Sequence, residues 1–259
     1  MTELNAILAI AYRDLLKFLR DPVRLGSTFV LPFILIGVLG GSFQSGLGSE
    51  MDFDFLAYIF TGVLAQTLFQ SSAMGLISLI EDRENDFSQE IFVSPISRYS
   101  IIFGKIAGES LVAATQGIGI VGFGYIIGLS ISGGQLLSLI PVVVVTCLFG
   151  GAFGVVVMAN LKSQRAANQV FPFVILPQFF LAGVFNPIQG MPPFLDFLSK
   201  ISPMRYPVDL TRGVFYAGQP AYDVVVLAEP IVNILVMTAL FFVFLAVGTW
   251  LFVRNERNR

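Results

Sequence analysis

The 259-residue sequence contains no histidine and a single cysteine, Cys147. Without histidine the commonest metal ligand and the usual general base are missing, and one thiol forms neither an internal disulfide nor a thiolate cluster. No metal site and no catalytic set are therefore expected. Cys147 lies in an apolar run and reads as a buried, inert thiol. Charge is also scarce: 12% of residues are charged, against about 25% in a soluble domain. A net charge of −2 and a pI near 5.2 leave no basic surface for nucleic acid.

What the chain has instead is apolar length: 55% of its residues are hydrophobic and the mean hydropathy is +0.81. A helix needs about 20 apolar residues to cross the hydrocarbon core. Six stretches qualify, at 26–45, 55–79, 101–128, 136–159, 169–186 and 229–253. The expected fold is all-α and integral to the membrane, one transmembrane domain over residues 1–259. The first apolar run is too long for a signal peptide and has no cleavage pattern after it.

Basic residues orient the spans. Twelve of the fifteen lysines and arginines fall in the N-terminal segment, the second-to-third and fourth-to-fifth connections and the tail; Lys200, Arg205 and Arg212 alone lie on the other side. By the positive-inside rule both termini are cytoplasmic, in the plasma (bacterial inner) membrane.

Two cytoplasmic segments are helical without spanning. In residues 4–21, Leu4, Ile7, Leu8, Ala11, Leu15, Phe18 and Leu19 repeat at helical spacing, with Arg13, Asp14, Lys17, Arg20 and Asp21 over the remainder. This predicts an amphipathic helix on the membrane surface, stopped at Asp21-Pro22. After the second span, EDRENDFSQEIFVSPISRYS (81–100) sets Ile80, Phe87 and Ile91 on one face, with Glu81, Asp82, Arg83, Asp86 and Glu90 around them, and Ser94-Pro95 as the stop. The residues alone leave open whether this acidic helix docks a partner or is a solvated cap.

On the outer side, residues 187–228 form the one long connection. PPFLDFLSKI and PVDLTRGVFY read as two short helices opened by proline. The fifth span before them is short and interrupted by Pro172 and Pro177, which suggests re-entrant backbone around an opening.

Within the spans, glycines recur four apart at 37/41, 104/108, 124/128 and 150/154, a spacing that lets helices pack closely. Gln66, Gln70, Gln116 and Gln178 are intramembrane amides that should face protein or a cavity. Glu109, four residues after Lys105 and about two turns inside the third span, is expected to snorkel or to form an ion pair rather than relay protons. Gly104-Lys105-Ile106 is no phosphate loop, because no serine or threonine follows the lysine and Tyr99 stands where a glycine is needed.

The interfacial helix, the six spans, the acidic helix followed by VSPISRYSIIFGKI, and AGVFNPI before a proline-rich helical segment together resemble the type-2 ABC exporter permeases of the daunorubicin-resistance branch. The resemblance covers nearly the whole chain. One departure is that Arg83-Glu84 is followed by Asn85-Asp86-Phe87, where the family often has glycine and threonine. It implies a membrane subunit without ATPase motifs, paired with a second permease copy or paralogue and docked on a separate cytoplasmic ATPase that binds ATP and Mg²⁺. The docking surface would be the acidic coupling helix, with Glu81, Asp82, Arg83, Glu84, Asp86, Phe87, Glu90 and Ile91, and the interfacial helix, with Arg13 and Lys17. Spans one, two and five would line a path for a drug, lipid or glycolipid, with Gln66, Phe69, Gln70, Gln178, Phe179 and Phe180 as its candidate walls. The other reading is an ion-coupled secondary transporter, for which only Glu109 offers an intramembrane carboxylate.

Overall fold

A computed structural model describes residues 3–47, 53–84, 97–161 and 163–257, and all regular structure among them is helical. Helix α1 spans Glu3–Leu19. Helix α2, Pro22–Ile34, is opened by Asp21, whose carboxylate accepts the Arg24 N–H at 2.9 Å, and by Pro22, whose missing N–H costs nothing in a first turn. It continues through a π-helical segment, Leu35–Gly40, into α3, Gly41–Leu47. Pro32 lies inside α2, one turn before the π segment, where its missing N–H and ring already disturb the ladder.

Helix α4, Phe55–Gly75, is capped by Asp54, and α5, Ile77–Glu84, continues from it after Leu76. The next two elements are α6, Arg98–Ile126, capped by Ser97, and α7, Gly133–Met158, opened by a reciprocal Ser132/Gln135 capping box. Helix α8 is Gln164–Leu181, and the short α9, α10 and α11 are Pro193–Ile201, Arg205–Phe215 and Tyr222–Val225. Helix α12, Pro230–Arg257, closes the chain.

Helix α4 is the hub, buried over most of its surface and apolar along most of its length, as a helix surrounded by others must be. It is buried almost continuously from Ala57 to Phe69 and packs against α6, α7, α10 and the π segment. Gly150 and Gly154 of α7 lie directly on the backbone of Phe69 and Ala73, leaving no room for a Cβ. Of the four glycine pairs, this one and 104/108, which meets α1, form packing faces. Gly41 faces open space, and Gly128, at φ +88°, ends a helix instead. Helices α2 and α12 expose most of their apolar surface, as the outer walls of a membrane bundle do.

Among the described residues, five stretches are long and apolar enough to cross a membrane: Pro22–Gly46, Phe55–Asp82, Tyr99–Ile126, Gly133–Met158 and Tyr222–Leu251. The expected fifth span, 169–186, is a helix but starts earlier, at Gln164, and is not among them. Its polar first turns and Gln178 lower its hydropathy. It also runs unbroken through Pro172 and Pro177, contrary to the interrupted helix expected.

Helix α1 matches the expected interfacial helix, but its buried face is different. Ala6, Ala11, Asp14 and Phe18 turn inward, while Leu4, Leu8, Tyr12 and Leu19 form an exposed apolar stripe. The reason is the close approach to α6, where Gly104 and Gly108 admit Ile10, Ala11 and Asp14. The face that docks is therefore set by the α6 glycines and not by side-chain size. The expected acidic helix is described only as far as Glu84, at the end of α5; Asp86, Phe87, Glu90 and Ile91 lie outside the described residues.

Both helices expected between 187 and 228 are present, as α9 and α10, with α9 opened by Pro192 and Pro193. Helix α10 is buried despite its polarity. Asp209 accepts hydrogen bonds from the N–H groups of Leu227 (2.7 Å) and Ala228 (3.0 Å) and from Asn233 Nδ2 (2.8 Å). Arg212 donates to the Gly183 carbonyl at 2.7 Å and lies 3.6 Å over the Tyr58 ring, whose hydroxyl donates to the same carbonyl. This helix thereby ties α4, the turn after α8 and the start of α12 together.

Candidate functional site

Two polar centres lie near the end of the bundle that carries α1. The first is an ion cluster where α1, α5 and α6 meet. Lys105 Nζ sits 2.7 Å from Asp82 Oδ2, 3.2 Å from Asp14 Oδ2 and 3.1 Å from Ser78 Oγ. Arg13 closes the other side, donating to Asp14 at 2.8 Å and Asp82 at 3.0 Å. The Lys105 and Asp14 side chains are 2% and 4% exposed, so neither is solvated and each depends on the other. Desolvation works against the Arg13 charge, yet Asp14 and Asp82 outweigh it and hold the guanidinium above its ordinary value.

Lys105 thus does not pair with Glu109, its expected partner one turn along the same helix. Two carboxylates and a hydroxyl on α1 and α5 offer it three acceptors together. Glu109 instead packs on Gly75, accepts a long hydrogen bond from Ser78 at 3.4 Å, and has Arg24 as an ionic neighbour at 4.0 Å.

The second centre is a cavity of about 480 Å³ between α2, α4, α5, α6 and α8. Such a volume suits a small molecule or the head of a larger one. Gln66, Gln70, Thr67 and Ser71 of α4 form its back wall, with Gln116 from α6 and Asn168 from α8. Arg24 and Glu81 stand at its rim, and Leu31, Pro32 and Met74 make one side apolar.

The candidate wall residues therefore separate. Gln66 and Gln70, one helical turn apart, meet at 3.3 Å inside the cavity. Phe69 lies round the helix from them, fully buried against Phe149 and Phe153. Gln178 binds structure: it donates to the Val174 carbonyl and accepts from Met204 N at 3.2 Å, fastening α8 to α10. Phe179 is buried and Phe180 exposed, and both meet Phe185 edge-on near the opposite end of α8. Of the candidate docking residues, Glu81 lines the cavity, Asp82 and Arg13 sit in the ion cluster, and Lys17 is exposed. Arg83 and Glu84 close α5. Sequence reasoning missed Arg24, Thr67, Ser71 and Asn168; the proline inside α2 beside amides on other spans was the available signal.

The sequence of residues 5–216 matches the family model described as ABC-2 type transporter. The chain belongs to the ABC-2 type transporter family. Among its relatives is the ycf38 protein of Cyanophora paradoxa, named as a transport permease, which is 24% identical over 216 residues, 82% of this chain and 74% of that protein. YbhR of Escherichia coli, named as a probable multidrug ABC transporter permease, is 26% identical over 151 residues, 58% of this chain and 40% of YbhR. Nodulation protein J of Rhizobium meliloti is 24% identical over 199 residues, 74% of each chain. As an ABC-2 permease, the chain is a multi-pass membrane protein and the membrane subunit of an ABC transporter, working with a separate ATPase subunit.

Proposed function

We propose that this permease exports an amphipathic substrate, a drug, lipid or glycolipid, from the cytoplasm, and that the cavity holding Gln66 and Gln70 is part of its path. The observation that carries the reading is a polar cavity open at one end of an apolar bundle, beside the ion cluster that joins α1 to α5. The excess of basic residues at that end supports a cytoplasmic position for it and for both termini, in the plasma membrane. Helix α8 is the fifth of six spans, shielded by a second permease copy rather than by lipid alone, and α9 to α11 close the outer side.

The ATPase, which binds ATP and Mg²⁺, docks on the acidic segment from Glu81, through Glu84, Asp86, Phe87, Glu90 and Ile91, and on the exposed face of α1 at Lys17. Arg13 and Asp82 act inside the joint. A push on the acidic segment reaches Asp82, then Lys105, then Asp14, so that α5, α6 and α1 move as one body. Only different contacts in the two ATPase states shift the permease between its own states.

The test is purification of the chain from its host in mild detergent, followed by transport in inverted vesicles. An ATP-binding protein that co-purifies, and ATP-driven uptake lost on charge reversal at Glu84 and Asp86, are expected. Uptake driven by an ion gradient without ATP would favour the secondary-transporter reading.

A further inference from the structure

Around the cavity, the buried polar atoms without a hydrogen-bond partner among the described residues are both acceptors. One is Gln66 Oε1, on a side chain that lines the cavity in a residue 2% exposed. The other is Glu109 Oε2, on a side chain 3% exposed. Glu109 stands just behind the wall: Gly75 and Ser78, which it touches, line the cavity, and a Cβ at position 75 would fall on its carboxylate. The nearest cation is Arg24 at 4.0 Å, which reaches in from the rim with its side chain 47% exposed.

We propose that the cavity takes the ammonium end of an amphipathic amine, with Gln66 accepting a hydrogen bond from it and Glu109 as its counter-charge. The proposal rests on the reading of this cavity as the substrate path. An ammonium group brings three donors to the two buried acceptors that lack a partner, Gln66 Oε1 and Glu109 Oε2. It also replaces Arg24 as the partner of Glu109, freeing a half-exposed guanidinium to return to water. An anionic head would do the reverse: drawn to Arg24, it would take from Glu109 its nearest cation and set a second negative charge beside a buried carboxylate. Glu81 at the rim adds a second negative charge at the mouth. The apolar tail has its own lining, because Leu31 and Met74 border the cavity and are 50% and 39% exposed.

The experiment uses the permease with its ATPase in nanodiscs at pH 8, and three radiolabelled probes with the same tail: dodecylamine, dodecanoate and dodecyl glucoside. Binding is corrected for partition into empty nanodiscs. Dodecylamine should bind at least about tenfold more tightly than dodecanoate, as a desolvated counter-charge close behind the wall requires. Glu109→Gln should shrink that preference to within about twofold and leave the glucoside unchanged. Arg24→Gln, at a half-exposed position that tolerates change, should tighten dodecylamine. Equal or tighter binding of dodecanoate, or a preference for the glucoside in both wild type and Glu109→Gln, overturns the ammonium assignment while leaving the path intact. If no probe binds and Gln70→Trp, which fills the cavity, leaves export unchanged, the path reading itself fails.

Discussion

Lys105 is the side chain on which most of the buried charge near α1 converges, since it alone reaches carboxylates on both α1 and α5 from α6. Removing one member of a buried ionic cluster costs about 3–5 kcal/mol, because its partners stay buried without compensation. Lys105→Met should therefore lower stability by about that amount in reversible SDS unfolding, and the Lys105→Met/Asp14→Asn double variant should recover part of it. Additive losses would show that the contact contributes nothing. Gly75 offers a second residue-scale test. Gly75→Ala puts a methyl group on the Glu109 carboxylate and should destabilise by about 1–3 kcal/mol, as overpacking does. Combining it with Glu109→Ala, which vacates the space, should recover most of the loss. Glu109 was legible in the sequence as a buried carboxylate, but its partner was not. A helical spacing of four says which side chains can meet on one helix; it does not say that α1 and α5 supply better acceptors.

At the scale of elements, α10 is the instructive case. Its sequence reads as a short helix opened by proline and carries Asp209, Thr211 and Arg212, yet all three are buried. The polar groups have partners in three other elements, and such fastening needs no apolar face. Arg212→Lys keeps the charge but loses the planar stack on Tyr58 and shortens the reach to the Gly183 carbonyl. It should cost about 2 kcal/mol by the same unfolding assay, in keeping with a hydrogen bond from a charged group. The α4–α7 contact makes the opposite test with no charge. Gly150→Leu cannot be accommodated against the Phe69 backbone, so loss of folded protein is expected, whereas Gly41→Leu, facing open space, should leave yield unchanged. The glycine spacing alone could not separate those two positions, because it marks a smooth face without saying whether a neighbour lies on it.

For the whole molecule, the prediction is orientation and pairing. Cys147 is buried, so a Cys147→Ser background frees single-cysteine labelling. Lys17→Cys, exposed on α1, should react with an impermeant maleimide only when the cytoplasmic side is open, and Gln219→Cys, beyond α10, only from outside. Reaction of both from one side would overturn the topology. Phe173, 80% exposed on α8, should as Phe173→Cys form oxidised dimers in the membrane if α8 meets its copy. Monomers alone would place the second permease elsewhere.

The sequence by itself determined the membrane class, the positions of the apolar helices and the two short helices of residues 187–228, because hydropathy and proline positions are local sums along one chain. It also placed Gln66 and Gln70 on one face, one turn apart. Only the tertiary structure decided that these two amides line a cavity while Phe69 and Gln178 build the core, that Asp14 turns inward, and that α8 continues through its prolines. Those outcomes depend on the rotation of each helix about its own axis relative to neighbours far away in the chain. No spacing within a single segment carries that angle.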